Sequence, residues 1–256
     1  MVSAADPLGF GLLDQLRSLG YDYVDLSMRD LVALPAPERS ALAARLRDLG
    51  LPCEACNNLF PPEVRLTGPH ADLAAALRFA TDAVRAAAEV GASVIVFGSS
   101  GARNVPPGFA AEKAWDQLRT LSLAMAPVAA DHGVTFALEH LNRGESNIIT
   151  TVPEAVRLVR EVAHPQFRLL VDAYHIRQEN EDPAMLRDCA TLIAHVHVAQ
   201  EAARRFPSGD DFLLAKFFAA LHTTGYRGRI SIEGFSEDFA GDSTRGLGAL
   251  RKLTGV

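Results

Sequence analysis

The sequence predicts an α/β fold, a single (β/α)8 TIM barrel spanning residues 1–256 with a short or incomplete first strand. Three observations carry the prediction. The chain has 256 residues, close to the roughly 250 of one such barrel. Seven short β-rich runs begin at residues 23, 53, 93, 134, 168, 193 and 229. They recur about 34 residues apart and alternate with helical patterns, as a ring of parallel strand–helix units requires. The glycine fingerprint of a doubly wound nucleotide-binding sheet is missing, since Gly9-Phe10-Gly11 lacks the third glycine and precedes a helix instead of following a strand.

In chain order, Met1 to Ala4 supply a very short first strand, ahead of a helix marked by Leu12, Leu16 and Leu19 on one face. Tyr23-Val24-Asp25-Leu26 is the next strand, followed by a helix with Leu42, Leu46 and Leu49 in phase. Cys53 to Cys56 is the third, and Leu73, Leu77 and Val84 mark the helix after it. Ser93 to Phe97, Val134 to Leu138, Arg168 to Val171, Ile193 to Val198 and Arg229 to Ile232 complete the set. Several are almost wholly apolar, the signature of parallel strands buried on both faces. Helix boundaries are legible as well: Thr151-Val152-Pro153-Glu154 is a capping box, Asp182-Pro183 is another helix start, and Gly20, Gly50, Gly91, Gly133 and Gly225 stand at helix ends.

The net charge is −6 and the arginines are scattered, which argues against a nucleic-acid partner. No apolar run approaches the roughly 18 residues of a membrane span. The first residues lack the basic and apolar regions of a signal peptide, so the expected location is the cytoplasm. Cys53 and Cys56 form a C-x-x-C, but strand residues three apart point to opposite faces and no second pair completes a zinc site. The sequence therefore predicts no redox or zinc chemistry there.

Barrel chemistry sits where strands end at the C-terminal face. Four successive strands end in Glu139, Asp172, His197 and Glu233. Three carboxylates meeting at one mouth repel unless a cation sits among them. The mixed oxygen–nitrogen set calls for one divalent metal ion, manganese first, with magnesium or cobalt as alternatives.

The segments Leu138-Glu139-x-Leu141-Asn142-Arg143-x-Glu145, Val171-Asp172-x-x-His175, His195-x-His197 and Ile232-Glu233-Gly234 resemble the sugar phosphate isomerase/epimerase superfamily, the xylose-isomerase-like barrels. Within it the resemblance is to the ketose 3-epimerases and hydroxypyruvate isomerases. It implies that Glu139, Asp172, His197 and Glu233 are metal ligands and that Glu139 and Glu233 double as catalytic acid/base groups. It further implies that Glu145 and His175 hold substrate hydroxyls. Arg204 matches the arginine that hydroxypyruvate isomerases place there to hold substrate, whereas ketose 3-epimerases place theirs one residue earlier, where Ala203 stands here. His140 replaces a proline of the epimerase motif, and the loop from Gln200 to Phe212 follows neither group. The implied activity is a metal-dependent isomerisation or epimerisation of a small sugar or keto-sugar, moving a proton beside a carbonyl through an enediolate. The implied assembly is a dimer or tetramer.

The remaining features are assigned smaller roles. His195 reads as structural, and His70, His132, His164 and His222 as solvated. Asn57 and Asn58 are candidates for substrate contact, with Phe60 as a cover. Gly98-Ser99-Ser100-Gly101 is a candidate cradle for hydroxyls or phosphate, and Trp115 reads as outer-layer packing. A three-zinc endonuclease on the same barrel needs further histidines where Asn57 and Gly98 stand, and an Asp-x-His pair missing from the loop after His197. A metal-dependent lyase of the inosose-dehydratase kind would share the proton removal and then expel a β-hydroxyl. A partner-dependent or non-catalytic sugar-binding barrel is the third alternative.

Overall fold

The computed structural model describes residues 9–209 and 211–255. Seven strands form one sheet: β1 (Val24–Ser27), β2 (Cys53–Asn57), β3 (Val94–Phe97), β4 (Thr135–Glu139), β5 (Phe167–Asp172), β6 (Ile193–Val198) and β7 (Ile230–Ile232). They lie side by side in chain order, and each neighbouring pair is parallel. All seven runs expected from the sequence become strands. The expected strand at Met1 to Ala4 lies outside the described residues.

The helices are α1 (Leu13–Leu19), α2 (Met28–Ala33), α3 (Ala36–Leu49), α4 (Leu73–Val90), the single turn α5 (Ser100–Arg103), α6 (Ala111–Ala130), α7 (Val152–Val162), α8 (Ala173–Gln178), α9 (Phe212–Thr223) and α10 (Phe239–Thr254). They surround the sheet and complete a nearly closed TIM barrel. β1 and β7 border the seam, and side chains bridge it. Tyr23 Oη lies 2.8 Å from Ser231 Oγ, and Arg229 pairs with Glu54 at 2.6 Å while lying over the Tyr23 ring. Among the described residues, no helix is long and apolar enough to cross a membrane.

Local signals act as their chemistry dictates. Gly20 ends α1 at φ 88°, where its N–H and that of Tyr21 turn back to Arg17 O and Leu16 O. Thr151 Oγ1 accepts from Glu154 N–H at the start of α7. Glu154 reaches back to the N–H of Thr150, one residue beyond the reciprocal partner of a capping box. Trp115 packs against the core edge, donating to Glu161 with Arg157 over its ring.

One expectation from strand parity is corrected. Cys53 and Cys56 are both buried, and their sulfurs lie 3.8 Å apart on the same side. The reason is a register shift: Val24 pairs with Cys53 but Asp25 with Ala55, so Glu54 is an extra, bulged residue that reverses the alternation.

Arg103, at the end of α5, is fully buried. Its guanidinium donates to the carbonyls of Glu139 (2.8 Å), Ile149 (3.2 Å) and Phe97 (3.3 Å), so one cation ties the ends of β3 and β4 to the loop beyond. Burial pulls its pKa down to about 10, which leaves it charged at neutral pH. Truncation to alanine abandons three buried carbonyls and leaves a void. Arg103→Ala is expected to destabilise the protein by about 3–5 kcal/mol in urea unfolding. A loss below about 1 kcal/mol would show that these carbonyls find other donors.

Candidate metal centre

The barrel interior explains why the polar residues share one level. Val96, Ala137 and Leu170 form a small apolar cluster of their own. Side chains two positions on along a strand face the same way, so Gly98, Glu139 and Asp172 stand just above that cluster, toward the C-terminal mouth. In β6 a register shift places His195 opposite Leu170 and His197 opposite Asp172, aligning both imidazoles with this stack. Glu233 follows β7 directly, its N–H bonded to Val198 O.

One donor atom from each of Glu139, Asp172, His197 and Glu233 lies within 4.8 Å of the others. His197 Nδ1 stands 3.2 Å from Glu233 Oε2 and 3.5 Å from Glu139 Oε1. Arg204 reaches in from the loop after β6. Its Nη2 pairs with Glu233 and, at 3.3 Å, with Asp172, while Nη1 is 3.4 Å from Glu145. Its guanidinium also lies over the Tyr174 ring.

His175 is buried with its two nitrogens in different roles. Nδ1 accepts from the backbone N–H of Asn142 at 3.1 Å and lies 2.9 Å from the Asn142 side-chain amide. A nitrogen that accepts is unprotonated, so the proton of the neutral ring sits on Nε2. That N–H points toward Asp172 (3.5 Å) and Glu139 (3.9 Å) and has no hydrogen-bond partner among the described residues. Burial and the surrounding cations keep the ring neutral by pulling its pKa far down. The Asn142 amide also donates to Glu145, at 2.9 Å, so one side chain positions both.

The structure thus gathers all seven residues singled out from the sequence. It adds Asp25 on β1, 3.2 Å from His197 Nε2, and Asn142.

The electrostatics are those of a cation site. Burial raises the Asp172 carboxyl to about 7, with Glu139 and Glu233 adding to the rise and Arg204 opposing it. Glu139 is raised by burial and by Glu233. Burial pushes Glu233 the same way, but His197 and Arg204 outweigh it and hold the group down. His197 is raised despite burial by Glu233, Asp25 and Glu139. Glu139 Oε1 is buried without a hydrogen-bond partner among the described residues. A buried, unsatisfied carboxylate oxygen aimed into two more carboxylates and an imidazole fits a divalent cation with oxygen and nitrogen ligands.

Two loops border this site. Gly98 leaves room for a carboxylate, because a β-carbon there would collide with Glu139 Oε2. Ser99 accepts the N–H of Phe60, and Phe60 is buried against Phe79 and Phe97 in place of covering the mouth. Gly98→Ala is therefore expected to displace the Glu139 carboxylate. A shift of about 1 Å suffices for a loss on the order of 10²-fold in turnover. Unchanged kinetics and Mn(II) affinity would show that Glu139 has another rotamer that still reaches the site.

Fold and site together define a class: a parallel α/β barrel with three carboxylates and an imidazole at its C-terminal mouth. The chain belongs to the xylose isomerase-like TIM barrel family, which matches residues 13–253. It is 35% identical over 116 residues to an L-ribulose 3-epimerase of Methylomonas sp. strain DH-1, a stretch covering 44% of this chain and 40% of that protein. Against these first relatives the chain thus spans less than half of their length. An L-ribulose 3-epimerase of Mesorhizobium japonicum is 26% identical over 236 residues, covering 90% of this chain and 77% of the relative. A solved D-psicose 3-epimerase with D-tagatose, from Clostridium cellulolyticum H10, superposes with a TM-score of 0.86 over 95% of this chain and 93% of its own. At 20% identity it shows likeness of fold.

Proposed function

We propose that this protein is a divalent-metal-dependent isomerase or epimerase that moves a proton beside the carbonyl of a small sugar or keto-sugar. The observation that carries the reading is the convergence of Glu139, Asp172, His197 and Glu233 within 4.8 Å. The named activities of the relatives, both L-ribulose 3-epimerases, point the same way. Glu139, Asp172, His197 and Glu233 hold the ion, which when bound stabilises negative charge developing on the substrate oxygens. Manganese is the first choice, with magnesium or cobalt fitting the same donors.

The chain's own groups supply the rest. Glu139 on β4 and Glu233 after β7 are separated by two strands, so they approach a substrate from different sides. One takes the carbon-bound proton and the other returns a proton, either to the same carbon from the opposite face or to its neighbour. His175 offers its Nε2–H to a substrate hydroxyl, and Glu145 accepts from another. Arg204, paired with Glu233, Asp172 and Glu145 at the mouth, supplies positive charge to hold the substrate.

Three all-buried free cysteines suit a reducing cytoplasm. The exposed Phe212, Leu213 and Phe235 offer apolar surface for assembly into a dimer or tetramer.

The test is incubation with ketopentoses and ketohexoses in deuterium oxide with Mn(II). Deuterium entering at the carbon beside the carbonyl, with formation of an isomer or epimer, is the expected result. Loss of water from the substrate would instead establish a lyase. Sugar binding without exchange would establish a binding protein.

A further inference from the structure

His197 has two polar ends, and they face different groups. Nδ1 looks into the carboxylate cluster, 3.2 Å from Glu233 and 3.5 Å from Glu139. Nε2 lies 3.2 Å from Asp25 Oδ2, which comes from β1, 172 residues away in sequence. A neutral imidazole carries a single proton, so the partner of one nitrogen decides what the other can do. A carboxylate can only accept. When a cation at the cluster displaces the proton from Nδ1, Asp25 therefore holds the remaining proton on Nε2 and leaves the Nδ1 lone pair for the ion.

Asp25 is held in turn. His195 Nε2 lies 3.8 Å from the same carboxylate oxygen and 2.9 Å from Ser231 Oγ, and Ser231 Oγ is 2.8 Å from Tyr23 Oη. The rings of His195 and His197 meet edge to face at 5.2 Å. These residues come from β6, β7 and the residues at and just before β1, so the network spans both edges of the barrel seam. It gives His195, a structural histidine by sequence, a specific task.

Resting on the metal-dependent reading above, we propose that Asp25 is a positioning residue for the metal centre. It fixes the tautomer and angle of His197, and the chain of Tyr23, Ser231 and His195 sets Asp25 itself. The rival is a second ion held by Asp25, His195 and His197, whose donor atoms also lie within 4.8 Å of one another. It is disfavoured because His195 Nε2 is already committed to Ser231, leaving two free donors.

The test uses the full chain stripped of metal, with Mn(II) alone as the probe in titration calorimetry. Asp25→Asn keeps the shape and removes the charge. It is expected to weaken binding about 10–100-fold, the usual cost of losing a partner behind a metal-bound histidine, while the wild type takes up one ion. Asp25→Glu restores the carboxylate and is expected to bind more tightly than Asp25→Asn. In protein carrying 15N-labelled histidine, the Nε2–H proton of His197 is expected to be protected from exchange and to lose that protection in Asp25→Ala. Circular dichroism confirms that each variant is folded. Unchanged affinity in Asp25→Asn overturns the proposal, as do two ions in the wild type with one lost in that variant. If the wild type binds no Mn(II), the metal reading fails on its own. The His197 proton signal still decides the role of Asp25, since its persistence in Asp25→Ala overturns the inference.

Discussion

Replacing Glu233 by glutamine is expected to abolish turnover while leaving the fold intact. Glutamine is nearly isosteric and keeps one oxygen that can face the ion, but it can neither take up nor return a proton at neutral pH. Losing a positioned acid or base alone costs about 10²–10⁴-fold. Here the same change weakens a metal ligand and removes the anion that pairs with Arg204 and lies 3.2 Å from His197. The larger end of that range, or more, is therefore expected in kcat. The fold survives because Glu233 lies just beyond the end of β7 with 26% of its side chain exposed, and glutamine has nearly the same shape. The check is solvent deuterium exchange into a ketose substrate, alongside thermal unfolding of the same preparation. Full exchange activity in the variant would remove Glu233 from the chemistry and leave it a ligand alone. Loss of activity together with loss of cooperative unfolding would show a structural role instead.

What the sequence discloses of this site, and what it hides, follows from how each residue is held. Glu139, Asp172 and Glu233 are legible because each closes or follows an apolar run, and a parallel barrel brings the ends of its strands to one mouth. His197 is legible through the alternation of His195 and His197 in β6, although its depth depends on a register shift no pattern announces. Asp25 is hidden because it sits inside a strand between two buried residues, Val24 and Leu26, and meets His197 only once the ring closes. Arg103 stands in a four-residue helical turn where no local pattern marks it, and it is buried. The cysteine pair turns on a single bulged residue, Glu54, which defeats strand parity. Gly98 has a use that no local pattern discloses: its missing side chain makes room for Glu139. Local pattern thus gives the elements and their order, while contacts made across the barrel depend on register and closure.

Asp172→Asn is expected to have opposite effects on metal binding and on the metal-free protein. Asp172 is fully buried, and its carboxyl is raised from the ordinary 3.8 to about 7 by burial first and by Glu139 and Glu233 beside it. A carboxyl whose pKa is higher folded than unfolded binds more protons in the native state. The stabilisation it lends is thus complete at low pH and is lost as pH rises through about 4 to 7. Asparagine cannot ionise, so this loss should disappear from the pH profile of the metal-free variant. It also keeps an oxygen for the N–H of Tyr174, the bond with which Asp172 caps α8, so the helix start is preserved. Metal-free Asp172→Asn should therefore match or exceed the wild type in stability at pH 8, because a repelling charge has gone. With Mn(II) present the order reverses. An ion bound only by the native state adds about 2.7 kcal/mol at a hundredfold excess over its dissociation constant. The wild type gains this and the variant, lacking one of three anionic ligands, does not. Thermal unfolding of both proteins at pH 5 and pH 8, with and without Mn(II), gives all the comparisons at once. An equal Mn(II)-dependent rise in Tm in the two proteins would exclude Asp172 as a ligand. A parallel fall in metal-free stability with pH would show that repulsion at the mouth arises elsewhere.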